Sequence, residues 1–357
     1  MVLVLKINGG KMKFLSATLL TSALVLGLAC QSEACSRITY ASADGSVVTG
    51  RSMDWPKTDD VKLQSFPKGE KRSGLGSNPF EWTSKYASIA ATSHDFVNSG
   101  VNEARLAVDV LYLATSDYGT LQEGEKTITT TMLTQFLLDN FATAQEVADY
   151  FKDAKLRPVL DKEFAGHLGA DLTVHYIVTD LTGDNTIIEY IDGKPKIHHQ
   201  KGSIVYTNDP EYDKMLAIRD YFKEAGIEGS MPGSSLSQAR FVYLTGWLGQ
   251  TVQEQMTDVQ KEIPGYTYQD QTMATVLSLM RGVSTPFGII FDRAHPNNSS
   301  TLWRTVTDVK GGMFYFDSAL TPLTLKIDLS QINWNKATVV NPYKDSLSAG
   351  DITHLFK

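Results

Sequence analysis

Residues 35–55, CSRITYASADGSVVTGRSMDW, hold two strand-like runs around a turn and begin on a cysteine. Ser36 to Ala41 and Ser46 to Met53 are rich in β-formers, and Asp44-Gly45 between them favours a tight hairpin. A turn centred on those two residues places Cys35 opposite Asp54, with Ser52 and Arg51 nearby. Arg51 and Asp54 are three positions apart, so an ideal strand points them to opposite faces. A bulge or the strand end near Met53 has to re-aim one of them, and bulges are common beside active sites.

The preceding residues give Cys35 its meaning. Lys6, Lys11 and Lys13 form a basic region and Phe14 to Ala29 an apolar one, while Ser32-Glu33-Ala34 places small residues where signal peptidase reads. The expectation is a signal peptide, residues 1–34, removed to leave one catalytic domain, residues 35–357, in the periplasm or outside the cell. The apolar run is shorter than the roughly 20 residues of a spanning helix, so no membrane span is expected in the mature form. A competing reading makes Cys30, after Gly27-Leu28-Ala29, the lipidated anchor of a non-catalytic binding module. Lipoprotein signals favour a large aliphatic residue where Gly27 stands.

The chain carries 33 basic and 40 acidic residues, and the leader takes away three lysines against one acid, Glu33. That balance argues against nucleic acid or an anionic membrane surface as partner. Of the two cysteines, Cys30 leaves with the leader, so Cys35 is the sole thiol and no internal disulfide can form. A chain terminus is a poor place to bury a cysteine, the usual fate of a free one. A thiol with pKa about 8.5 ionises little at neutral pH, and an α-amine with pKa about 7.7 to 8.0 is matched to take its proton. An N-terminal cysteine thus combines nucleophile and base. Arg51 would stabilise the thiolate and Asp54 would hold the amine by a charge-assisted hydrogen bond. A surface ion pair is the plainer reading of either residue.

Downstream, Leu133, Phe136, Leu137 and Phe141 have helical spacing, and Thr143 with Glu146 forms a capping box for a second helix. Strand-like runs at 172–179 and 186–191 flank a turn at Thr182-Gly183-Asp184, with a third at 203–207. Helical patterns occupy 211–222, 237–248, 252–262 and 272–281, and strands return at 287–291, 302–309, 313–316 and 323–329. This order describes an α+β domain with sheets meeting in the middle and helices outside. The seven histidines, including His198-His199, lack zinc-ligand spacing, and no phosphate-cradling glycine loop follows a strand. Neither metal nor cofactor is expected.

Cys35 followed by Gly50-Arg51-Ser52-Met53-Asp54-Trp55 resembles the opening of the choloylglycine hydrolase family of N-terminal-nucleophile hydrolases, which holds bile salt hydrolases and penicillin V acylases. Arg51 and Asp54 stand at the offsets of that family's arginine and aspartate. Asn102-Glu103 with Leu106-Ala107 is similar to its next block, with Arg105 in place of the usual glycine. Thr207-Asn208-Asp209-Pro210 resembles the block holding an oxyanion-hole asparagine, and Ser237 with Arg240-Phe241-Val242 the block holding the last active-site arginine.

The resemblance implies a four-layer αββα sandwich and a linear, non-peptide C–N amide as the small-molecule substrate. It implies that Asn208 donates to the oxyanion and that Arg240 supports the charge network, although Asn208 before Asp-Pro also suits a plain turn. Tyr112 stands where bile salt hydrolases commonly carry a second asparagine. The family's penicillin V acylases also have tyrosine there, so a backbone N–H would complete the oxyanion hole. Met53, Trp55, Trp82 and Tyr112 would favour an apolar or aromatic acyl group, or else are ordinary core. Phenoxyacetyl, the fatty chain of an N-acyl homoserine lactone and a bile acid all fit that description. The signal-bearing layout resembles the Gram-negative branch, which favours penicillin V and acyl-homoserine-lactone acylase activity. Members of the family are often tetramers.

Overall fold

The structure is a computed structural model that describes residues 35–42, 44–55, 59–152, 156–168, 171–227, 235–250, 267–288, 299–321, 323–344 and 351–357. The opening hairpin forms as read, with its register one residue off. Strands Ser36–Ala41 and Val47–Trp55 pair with Ala41 opposite Val47 and Ser36 opposite Ser52. The cause is a loop one residue longer than a tight two-residue turn. The Ser42 N–H donates to the Ser46 carbonyl, Asp44 Oδ1 accepts from the Ser46 N–H, and Gly45 takes the left-handed φ of 85°. Three residues between Ser42 and Ser46, with glycine at the left-handed position, are the next most common hairpin connection.

The hairpin sits inside a six-stranded antiparallel sheet. Its order is Ile204–Thr207, Ser36–Ala41, Val47–Trp55, Ser300–Asp308, Met313–Ser318, Thr324–Asp328. A second antiparallel sheet runs Lys194–Lys201, Asp184–Ile191, Val174–Thr179, Ala107–Tyr112, Phe96–Asn102, Ser88–Ser93, Val61–Phe66, Thr338–Val340. Helices Thr130–Asn140 and Ala144–Lys152 pack on the larger sheet, and Ser237–Gln250 and Tyr268–Gly282 on the smaller one. The result is the four-layer αββα sandwich.

Each layer follows from local sequence. Thr143 and Glu146 make the capping box of the second helix, with both reciprocal bonds at 3.2 Å. Thr267 and Asp270 make an equivalent box for Tyr268–Gly282. That last helix lies close on the Val47–Trp55 strand because position 50 is glycine. A Cβ there would stand 2.7 Å from Val276 Cγ1 and Met280 Cγ. An aromatic cluster of Phe80, Trp82, Phe136, Phe141 and Tyr150 fills the space beneath the first helix.

The space between the sheets is unusually polar. Arg37, from the hairpin, and Asp109, from the larger sheet, form a fully buried pair at 3.1 Å. Thr39 bonds Thr179 and Asn185 across the same gap, and Ser99 bonds Thr305. Odd-numbered hairpin residues therefore face the other sheet, as strand alternation requires. Buried polar groups this well matched hold the two sheets in one relative position.

Several elements differ from the sequence reading. The strand Lys194–Lys201 was not expected, because its charged and proline-containing sequence suits an exposed edge rather than a core strand. The helix expected at 252–262, and residues 289–291 of the strand expected at 287–291, lie outside the described residues. Phe287 and Gly288 form a turn. Among the described residues no helix is long and apolar enough to cross a membrane.

Candidate active site

Three antiparallel strands converge on Cys35. Ser36 pairs with Thr207 on one side and with Ser52 on the other. One step back along each ladder, Asn208 and Met53 flank Cys35. The cysteine is 4% exposed. Its Sγ lies 3.8 Å from the Asp54 carbonyl oxygen and 3.7 Å from Arg51 Nη2. Burial pushes the thiol pKa up; Arg51 and Arg240 oppose that rise and the Asp54 charge adds to it. A thiol so placed needs a base before it can attack.

Arg51 and Asp54 do point to opposite faces, and both still serve this spot. The Arg51 guanidinium enters the space between the sheets, where Nη2 also donates to the Val110 carbonyl at 3.2 Å. Its charge lies over the Trp303 ring, 4.8 Å from the centroid. Asp54 reaches Sγ with its main chain, while its carboxylate turns towards the helix layer. There Oδ2 accepts from Arg240, Oδ1 accepts from Thr301, and Ser52 Oγ stands 3.4 Å from Oδ2. The Ser36 N–H donates to Ser52 Oγ at 3.0 Å, so the Asp54 carboxylate is joined to the main chain just beyond Cys35. The re-aiming bulge expected near Met53 does not occur in this strand; the irregularity lies in the strand paired with it. Thr301 pairs with Asp54 and Trp303 with Met53, leaving Leu302 as the extra residue.

Arg240 comes from helix Ser237–Gln250 and is almost fully buried; Nη2 donates to Thr285 Oγ1 at 2.6 Å. The Thr285 N–H in turn donates to Thr301 Oγ1 at 2.9 Å. Asp54, Arg240, Thr285 and Thr301 thus form one closed buried network. Neither threonine was found by sequence reading, because Thr301 meets Asp54 across more than 200 positions of chain, Thr285 reaches it only through Arg240 and Thr301, and neither carries a local signal.

Asn208, 2% exposed, follows the Ile204–Thr207 strand directly. The next residue, Asp209, accepts from the Ala114 N–H at 2.8 Å and ties this segment to the end of the Tyr112 strand. Tyr112 is half-buried and shares the Val110 face of that strand. Three residues after Asp209, the Tyr212 N–H donates to both Glu189 oxygens at 3.0 and 3.2 Å. Burial works against the Glu189 charge, but hydrogen bonds from His175 and His198 win and hold its pKa down at about 2. Glu189 therefore anchors the Asn208 segment from below, a role that sequence reading missed.

A small, partly open cavity of about 50 Å³ lies beside Cys35, lined there by Met53 and Val110. Trp55, Phe96, Phe164 and Val174 continue its apolar wall. Trp82 does not join them. It belongs to the aromatic cluster on the far face of the larger sheet, where its Nε1 donates to Asp139 at 2.7 Å. A short strand facing the first helix carries it there, so it is core. Asn102 is also structural: its amide donates to the Leu138 and Phe141 carbonyls at 2.9 and 2.7 Å. Arg105 adopts φ 70°, the left-handed conformation that a glycine would take without strain. Among the described residues no group of His, Cys, Asp or Glu is arranged to hold a metal ion.

Residues 35–341 match the family model described as linear amide C–N hydrolases, choloylglycine hydrolase family. A penicillin V acylase of Pectobacterium atrosepticum is 35% identical over 344 residues, covering 92% of this chain and 89% of that one. The solved penicillin V acylase of Agrobacterium tumefaciens is similar with a TM-score of 0.73 and 34% identity, over 89% of this chain and 94% of that one. A variant of the conjugated bile acid hydrolase of Clostridium perfringens shares the fold at TM-score 0.69 and 19% identity, over 88% of this chain and 98% of that one. The chain belongs to the choloylglycine hydrolase family of linear amide C–N hydrolases.

Proposed function

We propose that cleavage after Ala34 makes Cys35 the N-terminal nucleophile of an exported acylase acting on penicillin V and on N-acyl homoserine lactones. The observation carrying this reading is the meeting of Cys35 Sγ with Arg51 Nη2 at 3.7 Å and the Asp54 carbonyl at 3.8 Å, on the first residue of the family match. Cleavage creates the α-amine that a buried thiol of raised pKa requires.

The amine takes the thiol proton, and Sγ forms a bond to the amide carbon. Arg51 holds the thiolate, and the Asp54 carboxylate holds the ammonium. The oxyanion accepts hydrogen bonds from the Asn208 side-chain amide and the Tyr112 backbone N–H. On collapse the C–N bond breaks, and the leaving nitrogen takes the proton from the ammonium. A thioester remains on Cys35. Water, deprotonated by the same amine, releases the carboxylic acid and restores the thiol. The acyl group lies in the apolar cavity beside Met53, Trp55 and Tyr112.

A hydrolysis panel of penicillin V, acyl homoserine lactones of several chain lengths and conjugated bile salts tests the substrate choice. The first two classes should be turned over best, and Cys35→Ser should lose nearly all turnover while keeping the fold. Faster hydrolysis of conjugated bile salts would overturn the acyl preference. Retained activity in Cys35→Ser would remove the nucleophile.

A further inference from the structure

Arg51 is almost fully buried, and among the described residues only its Nη2 finds hydrogen-bond acceptors, the Val110 carbonyl at 3.2 Å and Cys35 Sγ at 3.7 Å. Nε and Nη1 are buried without a partner, so no carboxylate accepts from this guanidinium. A buried cation that lacks a carboxylate is costly to hold. What faces it instead is the indole of Trp303, itself fully buried, with Arg51 Cζ 4.8 Å from the ring centroid.

The indole is pinned in turn. Its Nε1 donates to Asp59 Oδ2 at 2.8 Å, the same oxygen accepts from Ser93 Oγ at 2.8 Å, and the Phe316 ring packs on the indole at 5.6 Å between centroids. Its direction depends on the bulge. In an unbroken ladder Thr301 and Trp303, two positions apart, would share one face. With Leu302 as the extra residue, Thr301 turns to the helix layer and donates to Asp54, while Trp303 enters the gap between the sheets, on the side where Thr305 bonds Ser99. One irregularity thus gives both charged hairpin residues of the site their support.

Building on the acylase reading, in which Arg51 holds the thiolate, we propose that Trp303 is the positioning residue of the reaction, keeping the Arg51 guanidinium at Cys35 by its ring face. A carboxylate in the same place would fix the arginine equally well, but its charge would cancel much of the field at sulfur. A ring quadrupole attracts the cation and brings no opposing net charge. The positive charge then stands beside sulfur before the thiol ionises, and nothing has to rearrange as it does so. The bond from Nε1 to Asp59 keeps the ring from turning its edge towards the cation.

The test uses the chain 35–357 and two readouts, the pH midpoint of Cys35 alkylation by iodoacetamide, and kcat and KM for penicillin V. Trp303→Leu removes the ring. It should raise the midpoint and lower kcat by about ten- to thirtyfold, with KM changed by less than about threefold. Trp303→Phe keeps a weaker ring face and no donor for Asp59; it should shift both readouts the same way by less, and it decides the question if the leucine variant fails to fold. In an Arg51→Met background the phenylalanine change should add nothing to either readout, because it acts through Arg51. A merely structural role would lower the melting temperature and leave the midpoint and the kcat per folded molecule unchanged. That result, or an equal effect with and without Arg51, overturns the proposal. The midpoint needs no substrate, so it still judges Trp303 if no amide is hydrolysed and the acylase reading fails.

Discussion

Replacing Arg51 by methionine keeps the side-chain length and removes the charge beside Cys35. Arg51 Nη2 is 3.7 Å from Cys35 Sγ, in a site with almost no solvent. At an effective dielectric of about 20, a unit pair at that distance attracts by about 4 kcal/mol. The full value would be worth about 10³ in rate. Because charge leaves sulfur as the new bond forms, kcat/KM of Arg51→Met should fall by about 10²- to 10³-fold. The same change leaves the Val110 carbonyl short of a donor and removes the cation from the Trp303 ring, for a stability loss of about 1–3 kcal/mol. Cys35 is the only thiol in residues 35–357, so in that chain its alkylation by iodoacetamide reports thiolate directly. The pH midpoint of alkylation should move up in Arg51→Met, because the charge opposing the burial effect is gone. An unchanged midpoint together with kcat/KM within threefold of wild type refutes the reasoning.

Three other perturbations test the frame around the site. Asp109→Ala leaves Arg37 as an uncompensated buried charge between the sheets and should cost about 3–5 kcal/mol by denaturant titration. Gly50→Ala sets a methyl 2.7 Å from Val276 and Met280 and should destabilise by about 1–3 kcal/mol, with the helix Tyr268–Gly282 displaced. Glu189 has a folded pKa of about 2, below its ordinary value, so its stabilisation is present above the ordinary carboxylate range and is lost as pH falls towards that value. Glu189→Gln should therefore show a flatter acid limb in stability against pH than wild type; an unchanged limb contradicts the role given to its hydrogen bonds.

What could be read from the sequence was local. Cys35, the hairpin and the capping box at Thr143 are written in neighbouring residues, and each appears in the structure. The hairpin register could not be placed to the residue, because Asp44-Gly45 suits both a two-residue and a three-residue loop, and only closure by Ser42 and Ser46 decides between them. Asp54 was recognisable, but not its partner Thr301, nor Thr285 behind Arg240. Nor was Trp303, which supports Arg51. Thr301 and Trp303 arrive through pairing of the hairpin with Ser300–Asp308, and Thr285 through its bonds to Arg240 and Thr301; segments distant in sequence leave no trace in the residues they meet. Trp82 shows the opposite failure. An aromatic residue reads alike in a pocket or a core, and the packing against Phe136 puts it in the core. Arg105 in a left-handed conformation explains how a chain can lack a family glycine and still make the same turn.

The central claim is that catalysis belongs to a chain whose first residue is Cys35, and the intact mass of the exported protein tests it most directly. The account predicts a mass equal to residues 35–357, which gains one acyl group on mixing with a slow amide substrate and gains none in Cys35→Ala. A fully active protein that retains residues before Cys35, or one carrying lipid on Cys30, would contradict it.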